Sequence, residues 1–515
     1  MVRNQFHRLA SGAVLSAVLW ALIATSSAVA QEVQDVDSGT EAGDDESLPP
    51  EVEPSPSSAA PAADPVAVSP AASATGDEGT TPTSPGGTSG ADGPTPPGEA
   101  IETTSENTPE AVPEAPAFVP HREHTEPGDD AHPMDNHPVT GNIHFAPGGG
   151  LRIQSDDGHF GVRLSARVQP RWTVVNLPGI SPEHEITLRR ARVKFQGNLF
   201  GPDVRFKLEL AFSPADLGVR DNLDPDTRTP TRSPLLSYFV EFRHLREAEV
   251  RVGQFKVASN RQRVISSANL QLVDRSILNS EFTLDRDVGI QVGSRDIGGL
   301  DLFTYSVGIY SGRGRDARGF GDFNLMYLGH FEVTPFGSFE AYAEGDFERT
   351  GPRLAVGTSY AFMDRGARDR GPIGSPPADG GTTTSHHYFA DLMFKWAGLS
   401  VLSEFAWRDG SRAPGGNLDD SGLPIPAVPP RDGWGLNAQG GYILPWFPLG
   451  IEGRYAIVHG LEDSSLGDRQ EVTGGLSYYF MEHAYKIQAD YSRLWRTDSM
   501  TDGSDRVRVQ LELSL

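Results

Sequence analysis

The sequence contains no cysteine, and only five of its 515 residues are lysines. Without cysteine, neither a disulfide framework nor acylation of a lipoprotein cysteine is available. Long hydrophobic runs are also missing beyond the N-terminus, where a spanning helix would need roughly 18 to 20 apolar residues. No amphipathic helical pattern of comparable length replaces them. These absences exclude a disulfide-stapled secreted module and leave a chain without spanning helices.

The N-terminus, "MVRNQFHRLASGAVLSAVLWALIATSSAVAQE", carries Arg3 and Arg8, then an apolar core that closes on Ala28-Val29-Ala30. This is the layout of a cleaved secretory signal, with the cut expected after Ala30. The alternative is a membrane anchor, which the short core and the closing A-x-A pattern disfavour. We therefore expect residues 1–30 to be a signal peptide and the mature protein to leave the cytoplasm.

The net charge of −25 is distributed very unevenly along the chain. Residues 31–140 hold 23 acidic residues and one basic residue, whereas residues 141–515 hold 46 acidic and 41 basic residues. Residues 31–145 are also dominated by Pro, Ala, Ser, Thr, Gly, Asp and Glu, with little to bury. Such a segment cannot offset its ordering entropy, which predicts a disordered acidic spacer that reaches another envelope component.

The end of this segment gathers histidines and aspartates that could in principle bind a transition metal. They are His121, His124, His132, His137 and His144, with Asp129, Asp130 and Asp135. Their spacings match no ordered metal motif and prolines interrupt the stretch. A solvated linker is therefore the preferred interpretation, and no metal or cofactor is predicted.

From about residue 150 the chain alternates apolar and polar residues with a period of two. The stretch "FGVRLSARVQPRWTVV" (160–175) and the terminal "VRVQLELSL" (507–515) both do so. This pattern indicates extended strands with one apolar face. It is compatible with a soluble β-sandwich as well as with a membrane barrel.

Three features favour the barrel over the sandwich. Many strands reach ten residues or more, which suits a tilted membrane crossing. Short turns alternate with long polar connections, provided that residues 333–351 form a longer periplasmic link. Trp residues fall near predicted strand ends, as in the aromatic girdles of outer-membrane barrels. The prediction is an all-β protein in which residues 150–515 form a transmembrane antiparallel β-barrel of about 16 strands in the bacterial outer membrane. To leave no open edge, its last strand, 507–515, must pair with the first, which begins at Phe160.

A barrel of this size encloses an aqueous channel, so the charge on its inward face decides what passes. The polar face of the first three strands is strongly basic, with Arg163, Arg167, Arg171, Arg190, Arg192, Lys194, Arg205 and Lys207. Cationic rings bias a pore toward anions. The alternative is that these cations pair with lumenal acids, for example Glu241, Asp391, Glu404, Glu452 and Asp490.

The connection 258–285, "ASNRQRVISSANLQLVDRSILNSEFTLD", is too long for a simple turn and contains apolar residues that must pack somewhere. Folded into the lumen, it would place Arg261, Arg263 and Arg275 at a constriction, with Lys256 just below. The alternative is a surface loop that packs on its neighbours. The predicted anion pathway is Arg163, Arg167, Arg192, Lys194, Lys207, Lys256, Arg261, Arg263 and Arg275.

Around this loop, "RRARVKFQG" (189–197), "GQFKV" (253–257), "VDRSILNSEF" (273–282) and "DRDVGIQV" (285–292) resemble the phosphate-selective porin O and P family. The resemblance implies a trimeric, sixteen-stranded outer-membrane porin whose third loop constricts an anion-preferring channel. It also implies assembly by the barrel assembly machinery. The chain departs from the family in its few lysines, in Ala258-Ser259 after "GQFKV", and in ending on Leu515 rather than an aromatic residue.

The sequence therefore predicts a porin for passive diffusion of small solutes, with a mild preference for inorganic or organic anions, phosphate among them. Its expected partners are outer-membrane lipid, small anions and two further copies of the chain, and no nucleic acid. One alternative is an envelope tether, in which the acidic arm acts and the barrel anchors it. Another is a barrel-embedded hydrolase that uses Ser385, His386, His387 and Asp391, but no nucleophile elbow or comparable signature surrounds them.

Overall fold

The computed structural model describes residues 141–218, 232–317, 324–496 and 500–515. Four sequence predictions lie outside these residues: the signal peptide, the acidic segment up to residue 140, the histidine cluster up to His137, and the tether function of the arm. Within the described residues, the secondary structure is almost entirely β.

The strands before the middle of the chain are β1 (Gly141–Ala146), β2 (Gly150–Ser155), β3 (Gly161–Asn176), β4 (Glu183–Asn198), β5 (Val204–Ala211), β6 (Leu235–Phe242), β7 (Glu249–Lys256), β8 (Arg286–Ser294) and β9 (Phe303–Tyr310). Those after it are β10 (Met326–Val333), β11 (Arg353–Gly366), β12 (Thr382–Trp396), β13 (Leu399–Ala413), β14 (Gly433–Ile443), β15 (Leu449–Gly460), β16 (Arg469–Met481), β17 (Tyr485–Trp495) and β18 (Ser504–Ser514).

Helices are short and lie in connections. They are α1 (Pro214–Leu217), α2 (Arg261–Val264), α3 (Ile277–Phe282) and the 3₁₀ turns Ile297–Gly299 and Met500–Asp502. In the part of the chain that the structure describes, no helix is both long and apolar enough to cross a membrane.

Strands β3 to β18 form a closed antiparallel barrel of 16 strands, which confirms the predicted fold class. Each strand pairs with its sequence neighbour, and β18 pairs with β3 from Asp505↔Asn176 to Ser514↔Arg167. The sequence predicted this pairing of the terminal strand with the stretch that begins at Phe160. Closure leaves no open sheet edge, so every strand backbone can be satisfied within the wall.

The turns at one end of the barrel, here called the short-turn end, cover 199–203, 243–248, 295–302, 397–398, 444–448 and 482–484. The other end, the long-loop end, carries 212–234, 257–285, 311–325, 367–381 and 414–432. Residues 334–352 connect β10 to β11 at the short-turn end. The sequence prediction required this position, because short and long connections alternate along the chain only if this link lies at the end of the short turns. The polar alternation also holds, since Arg508, Gln510 and Glu512 of β18 are buried inside while Leu513 is exposed outside.

A hairpin of β1 and β2 precedes the barrel, and the sequence analysis does not predict it. Residues 141–145 form most of β1, although the sequence places them in the disordered segment. They pair with Leu151–Ser155 through a tight turn at 147–149, and β2 continues onto the start of β3. At this turn the Gly148 amide donates to the Ser514 carbonyl (3.2 Å), which fixes the hairpin at the short-turn end.

Candidate anion passage

The loop between β7 and β8, residues 257–285, folds into the barrel. Its apolar side chains are almost completely buried: Ile265, Leu270, Leu272, Val273, Leu278, Phe282 and Leu284. Locally, Ser276 caps α3, because its hydroxyl accepts a hydrogen bond from the Asn279 amide (3.2 Å). Burying each large apolar side chain contributes roughly 1.5 to 3 kcal/mol, so the loop is held as part of the core.

Acidic side chains of the opposite wall satisfy the backbone amides of this loop. The contacts run from Gln262 N to Glu404 Oε1 (2.7 Å), from Val273 N to Asp490 Oδ2 (3.1 Å) and from Ile277 N to Glu471 Oε2 (2.9 Å). Charge-assisted bonds of this kind are about twice as strong as neutral ones. The acids of β13, β16 and β17 therefore fasten the loop to their side of the barrel.

Two ion-pair clusters anchor the loop further. Arg261 in α2 donates to Asp391 Oδ1 and to Glu332 Oε2, both at 2.5 Å, and its side chain is 1% exposed. Glu281 in α3 binds Arg408 (2.6 Å) and two further arginines of the wall side. Burial alone would raise the pKa of Glu281, but Arg431 and Arg408 outweigh it and lower the pKa to about 2.

The link 334–352 also folds inward, from the short-turn end. Its Glu344 amide donates to the Asn269 carbonyl (2.8 Å), and its carboxylate accepts from the Gln271 amide (2.7 Å). Asp346 accepts from the Gly398 amide at 2.6 Å, which ties the link to the β12–β13 turn. The loop and the link thus fill one half of the barrel from opposite ends.

The remaining space is a cavity of about 2930 Å³ that runs from the short-turn end to the long-loop end. Its lining comes from the inner faces of β2 to β10, from the loop and from the link, while β11 to β18 contribute only the strand ends Phe480, Met481 and Ser514. We call this cavity the passage. Because the loop fills the half of the barrel beside β11 to β18, the passage lies between the loop and the opposite strands.

The lining of the passage is predominantly basic. Among the described residues, 20 Lys or Arg and 13 Asp or Glu line it. The acids of the far wall, including Asp391, Glu404 and Asp490, lie behind the loop and away from it. Among the described residues, no ion pair joins these three acids to the cations of β3 to β5. Glu241, which the alternative interpretation also named, lines the passage, and Glu209 and Asp216 pair with Arg192 there.

Eight of the nine predicted pathway residues line the passage. On the wall, Arg163 donates to the Gly148 carbonyl (3.4 Å) and Arg167 to Ser267 Oγ (2.7 Å). Arg192 forms a bidentate pair with Asp216 (2.8 and 2.5 Å), and Lys207 lies 3.5 Å from Glu209.

Three of the other four lie at or near the loop, and the fourth lies on the wall. Lys256 donates to the Val264 and Ile265 carbonyls (2.8 and 3.1 Å), Arg275 donates to the Gln262 and Ile265 carbonyls (2.6 and 2.8 Å), and Arg263 pairs with Asp285. Lys194 lies on β4 beside the passage. Across the residues the structure describes, no ion pair joins Lys194, Arg167, Lys256 or Arg275 to a carboxylate.

Arg261 is the exception, because it is buried behind the loop and does not line the passage. The sequence prediction placed Arg261 at the constriction together with Arg263 and Arg275, because all three belong to the same loop. In α2, however, Arg261 points toward β10 and β12, whose acids bind it. It anchors the loop, while Arg263 faces the open side.

Several cations of the lining were not among the predicted pathway residues. Arg189 and Arg190 of the lining lie 3.6 and 3.3 Å from Asp274 of the loop, and Arg171, which does not line the passage, lies 3.1 Å from the same carboxylate. Burial opposes ionisation of Asp274, yet Arg190 and Arg171 hold its pKa well below the usual range. Arg286 lies 3.6 Å from Glu209, and its position within "DRDVGIQV" was the available signal.

The residues considered for a hydrolase do not form an accessible site. Ser385 Oγ lies 2.9 Å from His387 Nε2, but both residues are buried, at 3% and 0% exposure. Asp391 is bound to Arg261 and does not orient His387. His386 contacts the Tyr360 hydroxyl (2.8 Å) on the other face of the strand.

A family model described as phosphate-selective porin O and P matches residues 166–338. The match covers about a third of the chain, and every sequence motif on which the resemblance rests lies within it, so the two agree. No curated protein matches the chain.

Solved structures similar to the chain are outer-membrane proteins of other bacteria. An anion-selective porin from Comamonas acidovorans has 12% identity and a TM-score of 0.45, with 69% of this chain and 99% of that chain covered. The channel DcaP of Acinetobacter baumannii has 11% identity and a TM-score of 0.44, with 70% and 99% covered. A trimer form of OmpT from Vibrio cholerae has 10% identity and a TM-score of 0.41, with 69% and 99% covered.

Proposed function

We propose that this outer-membrane porin passes small solutes by passive diffusion and prefers anions, phosphate among them. The observation that carries the proposal is the excess of basic residues in the lining of the passage. The passage is lined by 20 basic and 13 acidic residues, while acids of the opposite wall bind the inserted loop.

The physical basis is that a passage with low-dielectric walls concentrates the field of its lining charges. A lining with excess positive charge raises the local concentration of anions and repels cations. Most of these cations are arginines, which stay charged and present a planar fork that fits carboxylate and phosphate oxygens. Lys194, Arg167, Lys256 and Arg275, whose charge no carboxylate neutralises among the described residues, are the proposed selectivity residues.

The test is the reversal potential of the purified protein in a planar bilayer across a KCl gradient. We expect a potential of the sign that anion permeation produces. Replacing chloride by phosphate on one side then measures whether phosphate competes with or exceeds chloride. A cation-type potential would refute the anion preference, and the absence of channels would refute the porin function itself.

We also propose that the protein assembles as a homotrimer, as the family resemblance implies. Light scattering of the detergent-solubilised protein measures the mass of the assembly directly. A mass of three chains supports the proposal, and a mass of one chain refutes it. The passage is lined by residues of a single chain, so the anion preference does not depend on this outcome.

A further inference from the structure

The carboxyl group of Glu344 joins the link 334–352 to the inserted loop and to the barrel wall. Its Oε2 accepts hydrogen bonds from the Gln271 backbone amide of the loop (2.7 Å) and from the Gln439 side-chain amide of β14 (2.8 Å). The Glu344 backbone amide also donates to the Asn269 carbonyl (2.8 Å). The residue is only 1% exposed. Glu344 is thus a buried contact through which the link is held in place.

Two oxygen atoms at this contact lack a donor. Glu344 Oε1 and Gln439 Oε1 are both buried, and among the described residues neither has a hydrogen-bond partner. They belong to the same carboxyl and amide groups that the 2.8 Å bond joins. Rotating the Gln439 amide by half a turn would not satisfy them, because the amide oxygen would then face a carboxylate oxygen. Since an unpaired buried acceptor is costly, the contact requires one more hydrogen.

The basic side chains around this contact donate elsewhere. Arg454, which lies opposite Gln439 in the β14–β15 register, directs its guanidinium to Glu471 (2.6 Å). Lys486 donates to His483 Nδ1 (3.0 Å). Neither cation therefore supplies the missing hydrogen.

The side-chain amide of Gln271 is a buried donor that has no partner among the residues the structure describes. It packs against Gly441, where an added Cβ would lie 2.4 Å from Gln271 Nε2. Gly441 lies opposite Glu452 in the β14–β15 register, and Glu452 Oε2 is itself a buried acceptor without a partner in the described chain. This donor and this acceptor are complementary, which still leaves Glu344 Oε1 unsatisfied.

Charges of both signs surround Glu344, although no ion pair involves it in the part of the chain that the structure describes. The cations are Lys395 of β12, Arg454 of β15 and Lys486 of β17; the facing acid is Glu452 of β15, and the other titratable neighbours are Tyr479 of β16 and His483 of the 482–484 turn. The loop contributes the uncharged Asn269 and Gln271. Burial raises the pKa of Glu344, and the hydrogen bonds and the cations do not outweigh it.

From the two unpaired oxygen atoms we propose that Glu344 binds a proton on Oε1 and donates it in a hydrogen bond to Gln439 Oε1. The neutral carboxyl group and the amide then form two opposed hydrogen bonds, with each group donating to the other. Loss of the proton leaves a buried carboxylate that faces the Gln439 oxygen, which favours release of the link toward water. The proton site does not depend on ion passage, but its effect on conductance rests on the proposed function.

This proton couples the position of the link to pH. In a released link, Glu344 is solvated and its pKa returns to the usual 4.5, whereas docking raises it. The stabilisation of the docked link is therefore complete below pH 4.5 and is lost as the pH rises toward the raised pKa. Between the two values the equilibrium constant for release increases about tenfold per pH unit. Because Phe339 and Ala341 of the link line the passage, release widens it.

The first experiment detects the proton itself by infrared spectroscopy of the full chain in detergent. At about pH 6 an ordinary glutamate, with a pKa of about 4.3, is ionised, so the C=O stretch of protonated carboxyl groups comes from groups with a raised pKa. We expect Glu344→Gln to lose the intensity of one such group. Glu348→Gln, exposed in the same link, should keep the full band. An unchanged band in Glu344→Gln would overturn the inference, whether or not the protein conducts ions.

The second experiment is single-channel recording from about pH 6 to about pH 9, a range above the ordinary pKa of glutamate. The wild type should spend a growing fraction of time in a wider state, with the ratio of wide to narrow states rising by up to about tenfold per pH unit. Glu344→Gln keeps the shape of the side chain and offers an amide donor in place of the proton, so it should stay narrow throughout. Glu348→Gln should follow the wild type. A Glu344→Gln channel that widens like the wild type would overturn the inference.

The remaining outcomes separate this inference from the proposed function. If millimolar Ca²⁺ restores the narrow state of the wild type at high pH, the oxygen atoms hold a cation and the proton inference fails. If Glu344→Gln keeps the full infrared band while the wild type forms anion-selective channels, the proton site fails and the proposed function stands. If the band is lost as expected but no channel forms at any pH, the proposed function fails and the proton site stands.

Discussion

Arg261 Nε lies 2.5 Å from Asp391 Oδ1, and this pair joins the inserted loop to strand β12 inside the barrel. Both side chains are almost fully buried, at 1% and 3% exposure. A second oxygen, from Glu332, also binds the guanidinium. The position of the loop, and hence the shape of the passage, depends on this contact.

Changing Arg261 to Ala should destabilise the folded protein by about 3 to 5 kcal/mol, because two carboxylates would stay buried without their partner. We also expect a larger and noisier conductance, since the loop loses its first anchor. Urea unfolding in detergent and single-channel recording measure the two effects. Arg365→Ala is the control, because Arg365 is exposed and lies 3.4 Å from the similarly accessible Asp364. Equal behaviour of both variants would contradict the anchoring role.

Acid should release the loop through Glu281. Its pKa is lowered from the usual 4.5 to about 2, so its stabilising contribution is full above pH 4.5 and is lost as the pH falls toward 2. The wild-type conductance should therefore rise over this range. Glu281→Gln should show the released state already at neutral pH and little further change in acid.

Asp420→Asn serves as the control for the pH experiment, because Asp420 lies exposed in the 414–432 loop. The conductance of this variant should rise at low pH as it does in the wild type. The anchoring role of Glu281 is refuted if the Gln variant titrates like the wild type.

Lys194→Glu should reduce the preference for anions most directly. Among the described residues, no ion pair joins Lys194 to a carboxylate, and the change replaces a basic side chain of the lining by an acidic one. We expect the ratio of anion to cation permeability to fall on the order of two- to fivefold. Arg365→Glu makes the same charge change away from the passage and should leave the reversal potential unaltered. An equal shift in both variants would point to overall charge rather than the lining.

Asp346→Ala should loosen the link 334–352 and increase conductance without changing the loop anchors. The carboxylate of Asp346 accepts from the Gly398 amide (2.6 Å) and the Arg349 amide (3.2 Å). Leaving these donors unpaired costs about 1 to 3 kcal/mol where they are buried. Glu348→Ala, two residues on and exposed, should behave like the wild type in conductance and in urea unfolding. A wild-type conductance for Asp346→Ala would exclude the link as a wall of the passage.

The period of two in the sequence was sufficient to predict the barrel, its strand count and its closure by the terminal strand. Alternation carries that information because one face of each strand meets lipid along its whole length. The hairpin β1–β2 was missed because its first strand, "GNIHFA", is short and exposed along its length. Nothing in so short a stretch distinguishes a hairpin from the end of a spacer.

The passage was predicted in part. The polar phase of β3 to β5 places Arg163 and Lys194 on the inner wall, so their positions follow from strand geometry. Arg261 and Arg263 differ in role although they are two residues apart, because a helical turn directs them to opposite sides of the loop. A loop sequence without a repeating period does not show which residue faces which wall.

The inner face of β11 to β13 also departs from the polar alternation expected of a lumen. Met363, Phe389, Met393 and Leu402 are buried there against the loop and the link. The rule that apolar strand residues face lipid therefore fails where protein fills the interior of the barrel. Only the packed position of the loop makes these side chains interior.

The inserted loop divides the barrel into an occupied half, where acids and cations of the wall are paired, and an open half whose lining has an excess of basic residues. Displacing the loop would widen the opening and, in the same movement, uncover pairs such as Glu471 with Arg454 and Asp490 with Arg508. The basic excess of the present lining would then act across a wider opening whose added wall is nearly neutral. A wider conformer of this channel should therefore be a less discriminating one, so the permeability to bulky solutes and the discrimination between ions cannot be adjusted independently.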